Sequence, residues 1–517
     1  MTPASRRATN LAHVLTQNAR RFGARIGFVH GARQWTWGEI DAQVSALAAA
    51  LAARGIGKGD RILVHSKNCA PMFWSMFAAF RLGAVWVPTN FRLLPEEVAD
   101  LAAFSGARGF LCHGDFAGHA AAVKTEFCWR IGSGGFGASS VEEAIAAHLG
   151  TRAPDAAVDQ DDPCWFFFTS GTSGRSKAAV LTHGQMGFVI ANMLADLMPG
   201  LGESDASLVV APLSHGAGVH QLVVSARGAC TILLPGDRFD IEEAYRLIER
   251  HRVTNLFTVP TILKLLAEHP AADRYDHSSL RHVIYAGAPM YRADQQAAVK
   301  KLGKVIVQYY GLGEVTGNIT VLPAALHDAE DDSRAGTCGF ERTGMQVAIQ
   351  DEEGRDCAPM QSGEICVIGP AVFAGYFNNA QANAKAFRDG WFRTGDLGHM
   401  DAQGFLYITG RASDMYISGG SNISPRDIEE KLLAHRAISE AAVLGVPDPV
   451  WGEVGIAVCV LRAQASEAEL LAYLAEKLPR YKLPRRVLFW EALPKSGYGK
   501  VPKRLVRDEL AARGLLP

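Results

Sequence analysis

Helical and strand-like patterns alternate over roughly the first 150 residues of the chain. Apolar residues recur at helical spacing over 10–22 and 37–54, and each stretch predicts a helix. Short apolar runs at 61–65 and 83–88 predict strands. This alternation is typical of βαβ units, so the sequence predicts an α/β fold built on mostly parallel sheets.

The pattern changes after residue 410, where a polar stretch leads into a compact unit of mixed helices and strands. Within it, Ser424 followed by Pro425 is a typical helix start. A unit of about 100 residues has an ordinary domain size. We therefore expect a large N-terminal lobe of several subdomains over residues 1–412 and a small α+β domain over residues 413–517.

Charge and hydropathy exclude several classes of protein. The chain has 52 Lys+Arg against 53 Asp+Glu, a balance that excludes a disordered chain and a surface dominated by nucleic-acid binding. The longest apolar candidate for a membrane helix, 70–88, is interrupted by Arg81. We expect neither a nucleic-acid partner nor a membrane span. The Arg-rich N-terminus has a composition that transit peptides share, but its helical spacing favours the first helix of the fold.

The cysteines give a prediction of compartment. There are nine, an odd number, and no two form a CxxC pair. This pattern indicates free thiols rather than a disulfide framework. Reduced thiols are typical of the cytoplasm, which is the predicted location.

The strongest local signal for chemistry is an aromatic, strand-like run that ends in small and hydroxyl residues at 164–177. Gly171 and Gly174 let the backbone approach a ligand closely, and successive N–H groups in such a loop form an anion nest. Lys177 adds a charge suited to phosphate. The spacing is not that of GxxxxGK[ST], and a Ser/Gly hairpin turn is the alternative. The candidate phosphate-binding residues are Thr169, Ser170, Gly171, Thr172, Ser173, Gly174 and Lys177.

A second glycine pattern, at 132–137, has the form GxGxxG. The apolar stretch before it is a poor strand, and a polar stretch lies shortly after it. A surface loop is therefore the expected structure, and a dinucleotide site is the alternative.

The loop at 169–177 resembles the phosphate-loop signature of the adenylate-forming superfamily, which contains acyl-CoA synthetases, standalone adenylation domains and luciferase-like enzymes. Further motifs follow in the family's order and extend the resemblance over essentially the whole chain. Residues 310–314 resemble YGxTE, 390–396 resemble GWxxTGD, 410–414 resemble GRxKD, 418–420 match SGG, and 494–500 resemble PKTxxGK.

The resemblance implies a two-step reaction that uses ATP, Mg²⁺ and coenzyme A. A carboxylate attacks the α-phosphorus of ATP to give acyl-AMP and pyrophosphate, and a thiol then displaces AMP. The phosphate loop holds the β/γ-phosphates, and Glu314 and Thr169 help to hold Mg²⁺. The other implied contacts are Tyr310 and Gly311 near adenine, Gly287, Ala288 and Pro289 as the opposite wall, Asp396 and Arg411 at the ribose, and Gly419 and Gly420 at the pantetheine arm.

Two further residues are implied to be catalytic. Lys500 is the cation that bridges the carboxylate and the α-phosphate, and it moves because the small domain rotates between the two steps. His215 corresponds to a residue at the mouth of the acyl pocket, although a core or capping histidine is the alternative. Without the surrounding motifs, Asp396 would be interpreted as a turn residue and Lys500 as a solvent-exposed charge. Both assignments therefore depend on the ordered motifs.

Four positions depart from the family pattern: Gly313, Tyr309, Ser413, where a hinge Asp or Lys is usual, and Ser421, where Glu is more common. Gly313 stands where YGxTE has Thr, so one hydroxyl near the phosphate or the metal is missing. Tyr309 stands at a position that is often Gly, and its ring is expected to narrow or shorten the acyl pocket. A shortened pocket disfavours very long straight-chain acids.

The leading interpretation is an AMP-forming carboxylate–CoA ligase, with a small-molecule carboxylic acid, ATP and CoA as partners and a homodimer left open. Aromatic or medium-chain monocarboxylates are favoured, because the candidate pocket residues are mostly apolar or aromatic and include no Arg. The alternatives are a standalone adenylation enzyme that loads a carrier protein, a luciferase-like oxygenase and a nucleotide-binding pseudoenzyme. The candidate pocket residues are His215, Val219, Tyr285, Tyr309, Leu312 and Val315.

Overall fold

The computed structural model describes residues 7–137, 139–169, 176–236, 239–288, 290–411, 413–495 and 501–516. The α-helices of this part are α1 (His13–Phe22), α2 (Trp37–Ala53), α3 (Ala70–Arg81), α4 (Pro95–Ser105), α5 (Ala117–Ala122), α6 (Val141–His148), α7 (His183–Asp196), α8 (Gly216–Ala226), α9 (Ile241–His251), α10 (Pro260–Glu268), α11 (Arg292–Leu302), α12 (Ala380–Ala386), α13 (Pro425–Leu433), α14 (Glu467–Ala475) and α15 (Lys503–Ala512).

The strands of the same part are β1 (Ile26–His30), β2 (Arg33–Thr36), β3 (Arg61–His65), β4 (Val85–Pro88), β5 (Gly109–His113), β6 (Phe127–Ile131), β7 (Pro163–Thr169), β8 (Lys177–Thr182), β9 (Ala206–Val209), β10 (Cys230–Leu233), β11 (Asn255–Thr258), β12 (His282–Tyr285), β13 (Ile306–Tyr310), β14 (Thr320–Leu322), β15 (Phe340–Glu341), β16 (Gln346–Gln350), β17 (Gly363–Ile368), β18 (Phe387–Arg388), β19 (Trp391–Met400), β20 (Leu406–Arg411), β21 (Tyr416–Ser418), β22 (Ser421–Ile423), β23 (Ile438–Asp448), β24 (Gly452–Leu461) and β25 (Arg486–Phe489).

Two large, mostly parallel sheets form the N-terminal part. One has nine strands in the order β15-β14-β13-β12-β11-β9-β10-β1-β2, and the other has six in the order β6-β5-β3-β4-β7-β8. Antiparallel pairing is confined to the ends of these sheets, where β2, β8, β14 and β15 join. A third, antiparallel sheet combines β16 to β20. The predicted α/β fold with mostly parallel sheets is confirmed.

The C-terminal part has its own sheet, in which β22-β21-β24-β23 are joined by β25. Apolar side chains cover both faces of this sheet: Ile428 and Leu432 of α13 lie in one core cluster, and Val506 and Leu510 of α15 lie in the other. This smaller mixed unit agrees with the predicted small C-terminal domain. Its boundary after residue 412 and its mobility stay predictions.

Most predicted elements are present, with shifted ends. The first helix begins at His13 rather than residue 10, because Asn10 turns the chain and donates to the carbonyl of Phe80. Ser424 precedes α13 as predicted, but its hydroxyl donates to the carbonyl of Thr409 instead of capping the helix. The GxGxxG stretch forms bends after β6, which agrees with the expected surface loop over its described residues.

Arg81, which interrupts the longest apolar stretch of the sequence, is a buried structural ion. It ends α3 with 1% of its surface exposed, and its guanidinium contacts Asp41 Oδ1 at 2.6 Å and Asp155 Oδ1 at 3.0 Å. It also donates to the hydroxyl of Ser45. One side chain thus connects α3 to α2 and to the linker before β7. Within the described residues, no helix is long and apolar enough to cross a membrane.

We expect Arg81→Met to lower the free energy of unfolding by about 3 kcal/mol, because it leaves two partly buried carboxylates, Asp41 and Asp155, without their buried cation. Thermal melting followed by circular dichroism measures the change. The matched control is Arg252→Met. Arg252 pairs with Asp276 on the surface, and 63% of its side chain is exposed. Exposed ion pairs contribute roughly 0–1 kcal/mol to stability. Equal melting temperatures for the two variants would contradict this account.

Candidate active site

The two ends of the predicted phosphate loop lie opposite each other in one hairpin. Thr169 ends β7, Lys177 begins β8, and the two residues are paired in the antiparallel ladder. The helix that follows, α7, begins after Thr182, whose side chain forms a capping box with Gln185. Strand β8 itself was not anticipated. The predicted contacts of Ser170, Gly171, Thr172, Ser173 and Gly174 lie outside the described residues, as do those of Pro289 and Lys500.

Glu314 lies against the start of this hairpin. It belongs to a short 3₁₀ turn, Gly313–Val315, and only 5% of its surface is exposed. Its Oε1 accepts hydrogen bonds from the hydroxyl of Thr169 at 3.1 Å and from the hydroxyl of Tyr376 at 2.8 Å. A buried carboxylate is costly without such donors. The structure therefore brings together both residues predicted to hold the metal.

Tyr376 is a site residue that the sequence interpretation missed. Its hydroxyl contacts Glu314, and the ammonium of Lys177 lies 4.9 Å from the centre of its ring. Burial, with the neighbouring Glu314 carboxylate, raises the pKa of the Tyr376 hydroxyl, so it remains a donor at neutral pH. No signal in the sequence reports this contact, because 62 positions separate the two residues along the chain.

The second cluster surrounds Asp396, which has 5% of its surface exposed. The hydroxyl of Tyr310 donates to its Oδ2 at 2.7 Å, and Nε of Arg411 lies 2.9 Å from its Oδ1. Arg411 reaches it because the two residues are paired across β19 and β20. The structure thus brings together the residues predicted for the ribose and one of those predicted for adenine. The hydrogen bond to the Tyr310 hydroxyl was not anticipated.

Segment 310–314 connects the two clusters. It leaves the carboxyl end of β13 with Tyr310 and ends with Glu314, so one short loop positions a group in each cluster. Ligands of open parallel sheets bind at this edge. Gly287 and Ala288 follow β12, the parallel neighbour of β13, and therefore leave the sheet at the same edge.

His215 lies at the start of α8, in a wall of aromatic rings. It occupies the N-cap position, but its side chain makes no capping hydrogen bond, which removes the capping alternative. Its ring centre is 4.8 Å from that of Phe167, and Phe257 stacks on Tyr309 with ring centres 6.0 Å apart. Tyr309 comes close to the start of α8, because a Cβ at Gly216 would lie 3.7 Å from its hydroxyl. We call Phe167, His215, Phe257 and Tyr309 the aromatic wall.

Three predicted residues, Tyr285, Gly419 and Gly420, lie elsewhere. Tyr285 is buried in a different core cluster, where its hydroxyl donates to Gln308 at 3.0 Å, so it is not part of the aromatic wall. Gly419 belongs to the turn between β21 and β22, where its N–H donates to the carbonyl of Trp451 at 2.9 Å. Gly420 follows in the same turn. These two glycines belong to the C-terminal unit, apart from the Glu314 and Asp396 clusters.

The structure gives a packing reason for the missing Thr at position 313. A Cβ on Gly313 would lie 2.7 Å from two ring carbons of Phe167 and 3.0 Å from Thr169 Cγ2. Such contacts are too short for carbon atoms, so the Phe167 ring occupies the space that a side chain at 313 needs. The glycine and the large aromatic residue are complementary, and the loss of the hydroxyl accompanies a gain in apolar packing.

Comparison with known proteins agrees with this geometry. The chain matches the family model of the AMP-binding enzyme over residues 15–377 and that of the AMP-binding enzyme C-terminal domain over residues 427–500. Feruloyl-CoA synthase of an Amycolatopsis species is 37% identical over 483 residues, which cover 92% of this chain and 94% of that protein. A long-chain-fatty-acid–CoA ligase of Mycobacterium tuberculosis is 32% identical over 487 residues, which cover 92% of this chain and 93% of that protein.

A solved structure extends the comparison to three dimensions. O-succinylbenzoate coenzyme A synthetase from Bacillus subtilis, in complex with ATP and magnesium ion, has a TM-score of 0.83 at 30% identity, and the match covers 96% of this chain and 99% of that one. Fold and site together are those of the adenylate-forming class, as the resemblance implied. The chain belongs to the AMP-binding enzyme family.

We expect Gly313→Thr to lower acid-dependent pyrophosphate release by roughly 10-fold, because the new side chain overlaps the Phe167 ring and displaces the turn that carries Glu314. Phe167→Leu in the same chain should restore much of the loss, since the smaller side chain makes room. The four members of this double-mutant cycle are compared by initial rates.

Phe166→Leu is the control for that cycle, because Phe166 faces the opposite side of β7 and packs on Phe377. It should not rescue Gly313→Thr. Purely additive effects of the changes at 167 and 313 would show that the two residues do not share the space.

Proposed function

We propose that this chain is an AMP-forming carboxylate–CoA ligase. It converts a carboxylic acid and ATP to acyl-AMP and pyrophosphate, and then transfers the acyl group to the thiol of coenzyme A with release of AMP. The observation that carries the proposal is segment 310–314, which places Glu314 beside Thr169 and Tyr310 beside Asp396. The relatives named as CoA ligases of fatty and aromatic acids support the reaction class.

Asp396 is the residue that we assign to the ribose hydroxyls of ATP. A carboxylate accepts hydrogen bonds from two neighbouring hydroxyls, and such charge-assisted bonds are strong. Arg411 balances the charge of this buried group, and the hydroxyl of Tyr310 fixes its orientation. The ring of Tyr310 is assigned to one side of the adenine. Gly287, Ala288 and Pro289 are assigned to the other side.

Glu314 and Thr169 are assigned to the Mg²⁺ that accompanies ATP. This ion prefers oxygen ligands and is usually held by one or two carboxylates together with substrate phosphates, which fits a buried carboxylate beside a hydroxyl. The described hydrogen bonds to Glu314 come from hydroxyl groups, so its charge is open to a cation. When bound, the ion neutralises charge on the phosphates. Lys177 and the loop before it are assigned to the same phosphates.

Lys500 is assigned to the first step, in which positioning and charge neutralisation supply most of the rate. Its ammonium lies between the acid and the α-phosphate in this proposal. Rotation of the small domain, residues 413–517, then withdraws Lys500 and brings Gly419 and Gly420 to the pantetheine arm. The separate core clusters of that unit support movement as one body.

The aromatic wall supports an aromatic or medium-chain monocarboxylate as the substrate. The rings of Phe257 and Tyr309 are nearly parallel, with an angle of 16° between their planes, and flat faces of this kind pack well against a flat acyl group. His215 is assigned to the mouth of this pocket. All nine cysteines are free thiols, which supports a cytoplasmic location.

The enzyme should release pyrophosphate from ATP only when a carboxylic acid is present, and it should form a thioester only with CoA. Lys500→Ala should lower the first step by roughly 100-fold or more, because it removes a cation from the developing charge. Supplied acyl-AMP should still be converted to the thioester. A panel of acids, assayed with and without CoA, also separates the ligase from a carrier-loading enzyme.

Lys495→Ala is the matched control, since Lys495 lies on the same segment and pairs with Glu440 at 2.8 Å. It should leave both steps unchanged. Loss of both steps in Lys500→Ala would contradict the rotation, and pyrophosphate release without any acid would contradict the ligase itself.

Tyr309 sets the length limit of the acyl pocket in this proposal. Activity should fall by roughly 10-fold between medium-chain acids and palmitate, because the Tyr309 ring fills part of the pocket. Tyr309→Gly should reduce that fall. The ratio kcat/KM across a series of straight-chain acids checks this, and a steady rise to palmitate in the parent enzyme would refute it.

A further inference from the structure

Arg342 is a buried guanidinium that has no part in the assignments above. It is 1% exposed, and Nε lies 3.4 Å from Oδ2 of Asp196. Nη1 donates to the carbonyl of Gly317, also at 3.4 Å. Both contacts are long for hydrogen bonds of a charged group. Nη2 is buried and has no partner within the described residues.

Other unpartnered polar atoms lie in the same neighbourhood. Asn192 donates to the Asp196 oxygen that Arg342 contacts, and its own Oδ1 is buried without a partner in the described part of the chain. Asn318 follows Gly317, and its Oδ1 is also buried without a hydrogen-bond partner among the described residues. Buried polar atoms in proteins are nearly always hydrogen-bonded. The open Nη2 donor of Arg342, with two open amide oxygens on neighbouring residues, indicates a place where a polar group from outside the protein can bind, because that nitrogen lacks an acceptor among the described residues.

This neighbourhood adjoins the aromatic wall. The backbone of Gly317 touches the ring of Tyr309, because a Cβ on Gly317 would lie 2.4 Å from Cε2 of that ring. The carbonyl of the same glycine accepts from Arg342. Only Gly317 therefore separates the guanidinium from the Tyr309 ring. Arg342 lies in the connection between β15 and β16, and the pocket residues predicted from the sequence did not include it. The charge of Arg342 also opposes the rise in the pKa of Tyr309 that burial causes.

We propose that Arg342 and Tyr309 form a distal polar subsite of the acyl pocket, which binds an uncharged acceptor oxygen at the far end of an aromatic acid. This inference rests on the proposed ligase function. An uncharged oxygen fits better than a second carboxylate, because Asp196 already balances the charge of Arg342. A phenolic, methoxy or keto oxygen on the ring satisfies the open donor without bringing a further charge into a buried site.

The test compares two acids that differ only at the far end, cinnamate and 4-hydroxycinnamate, by the kcat/KM of acid-dependent pyrophosphate release. The parent enzyme should prefer the hydroxylated acid by about 10-fold or more, since a site that hydrogen-bonds a substrate oxygen rejects the analogue that lacks it. Arg342→Met should remove most of this preference and leave the value for cinnamate within about 3-fold. Arg342→Lys keeps the positive charge beside Asp196 and should weaken the preference with less effect on folding.

Arg388→Met is the matched control, because Arg388 also has a buried nitrogen without a described partner but contacts Gln350 on another sheet. It should leave the ratio of the two acids unchanged. Three outcomes would overturn the subsite. The first is an equal loss of kcat/KM for both acids in Arg342→Met and in Arg342→Lys. The others are a parent enzyme without any preference between the two acids and a parent enzyme that prefers 4-carboxycinnamate. Each of these outcomes leaves the ligase function standing, whereas pyrophosphate release that ignores the acid ends both proposals.

Discussion

Two buried carboxylates meet one short segment: Glu314 lies at its end, and Asp396 of β19 accepts a hydrogen bond from Tyr310 at its start. Both Glu314 and Asp396 are 5% exposed, and each is paired with specific donors inside the protein. Asp396 has a cation, Arg411, beside it, whereas the described donors to Glu314 are hydroxyl groups. This difference agrees with their proposed partners, since ribose hydroxyls are neutral and a metal ion brings its own charge. In the proposed assignment, the segment between Tyr310 and Glu314 sets the distance between the ribose and phosphate ends of the nucleotide.

The C-terminal unit is built differently from the rest of the chain. Its sheet carries a core cluster on each face, so its described residues form a compact body without the N-terminal sheets. The hydroxyl of Ser424 nevertheless contacts the carbonyl of Thr409, and Tyr291 packs on one of the C-terminal core clusters. An independent core with few external contacts is what a rotating domain needs, because rotation then costs little packing.

Large aromatic side chains pack at two of the departures from the family pattern, Gly313 and Tyr309. Gly313 lacks a hydroxyl, but Phe167 fills the space that a side chain would take. Tyr309 replaces a small residue, and its ring packs against Phe257 on one side and Gly317 on another. In each case a large aromatic group lies against a glycine. This packing fills the region next to His215 with flat apolar surface.

The sequence by itself determined the fold class and the members of both carboxylate clusters except Tyr376, because these depend on local periodicity or on ordered motifs. Only the tertiary structure decided which groups meet across long separations. Tyr376 reaches Glu314 because its loop pairs antiparallel with β8. Phe167 faces Gly313 because of the pleat of β7, and Arg342 adjoins Tyr309 through the backbone of Gly317. Such contacts leave no local pattern, since each depends on how separate elements pack and not on the residues beside it in the chain.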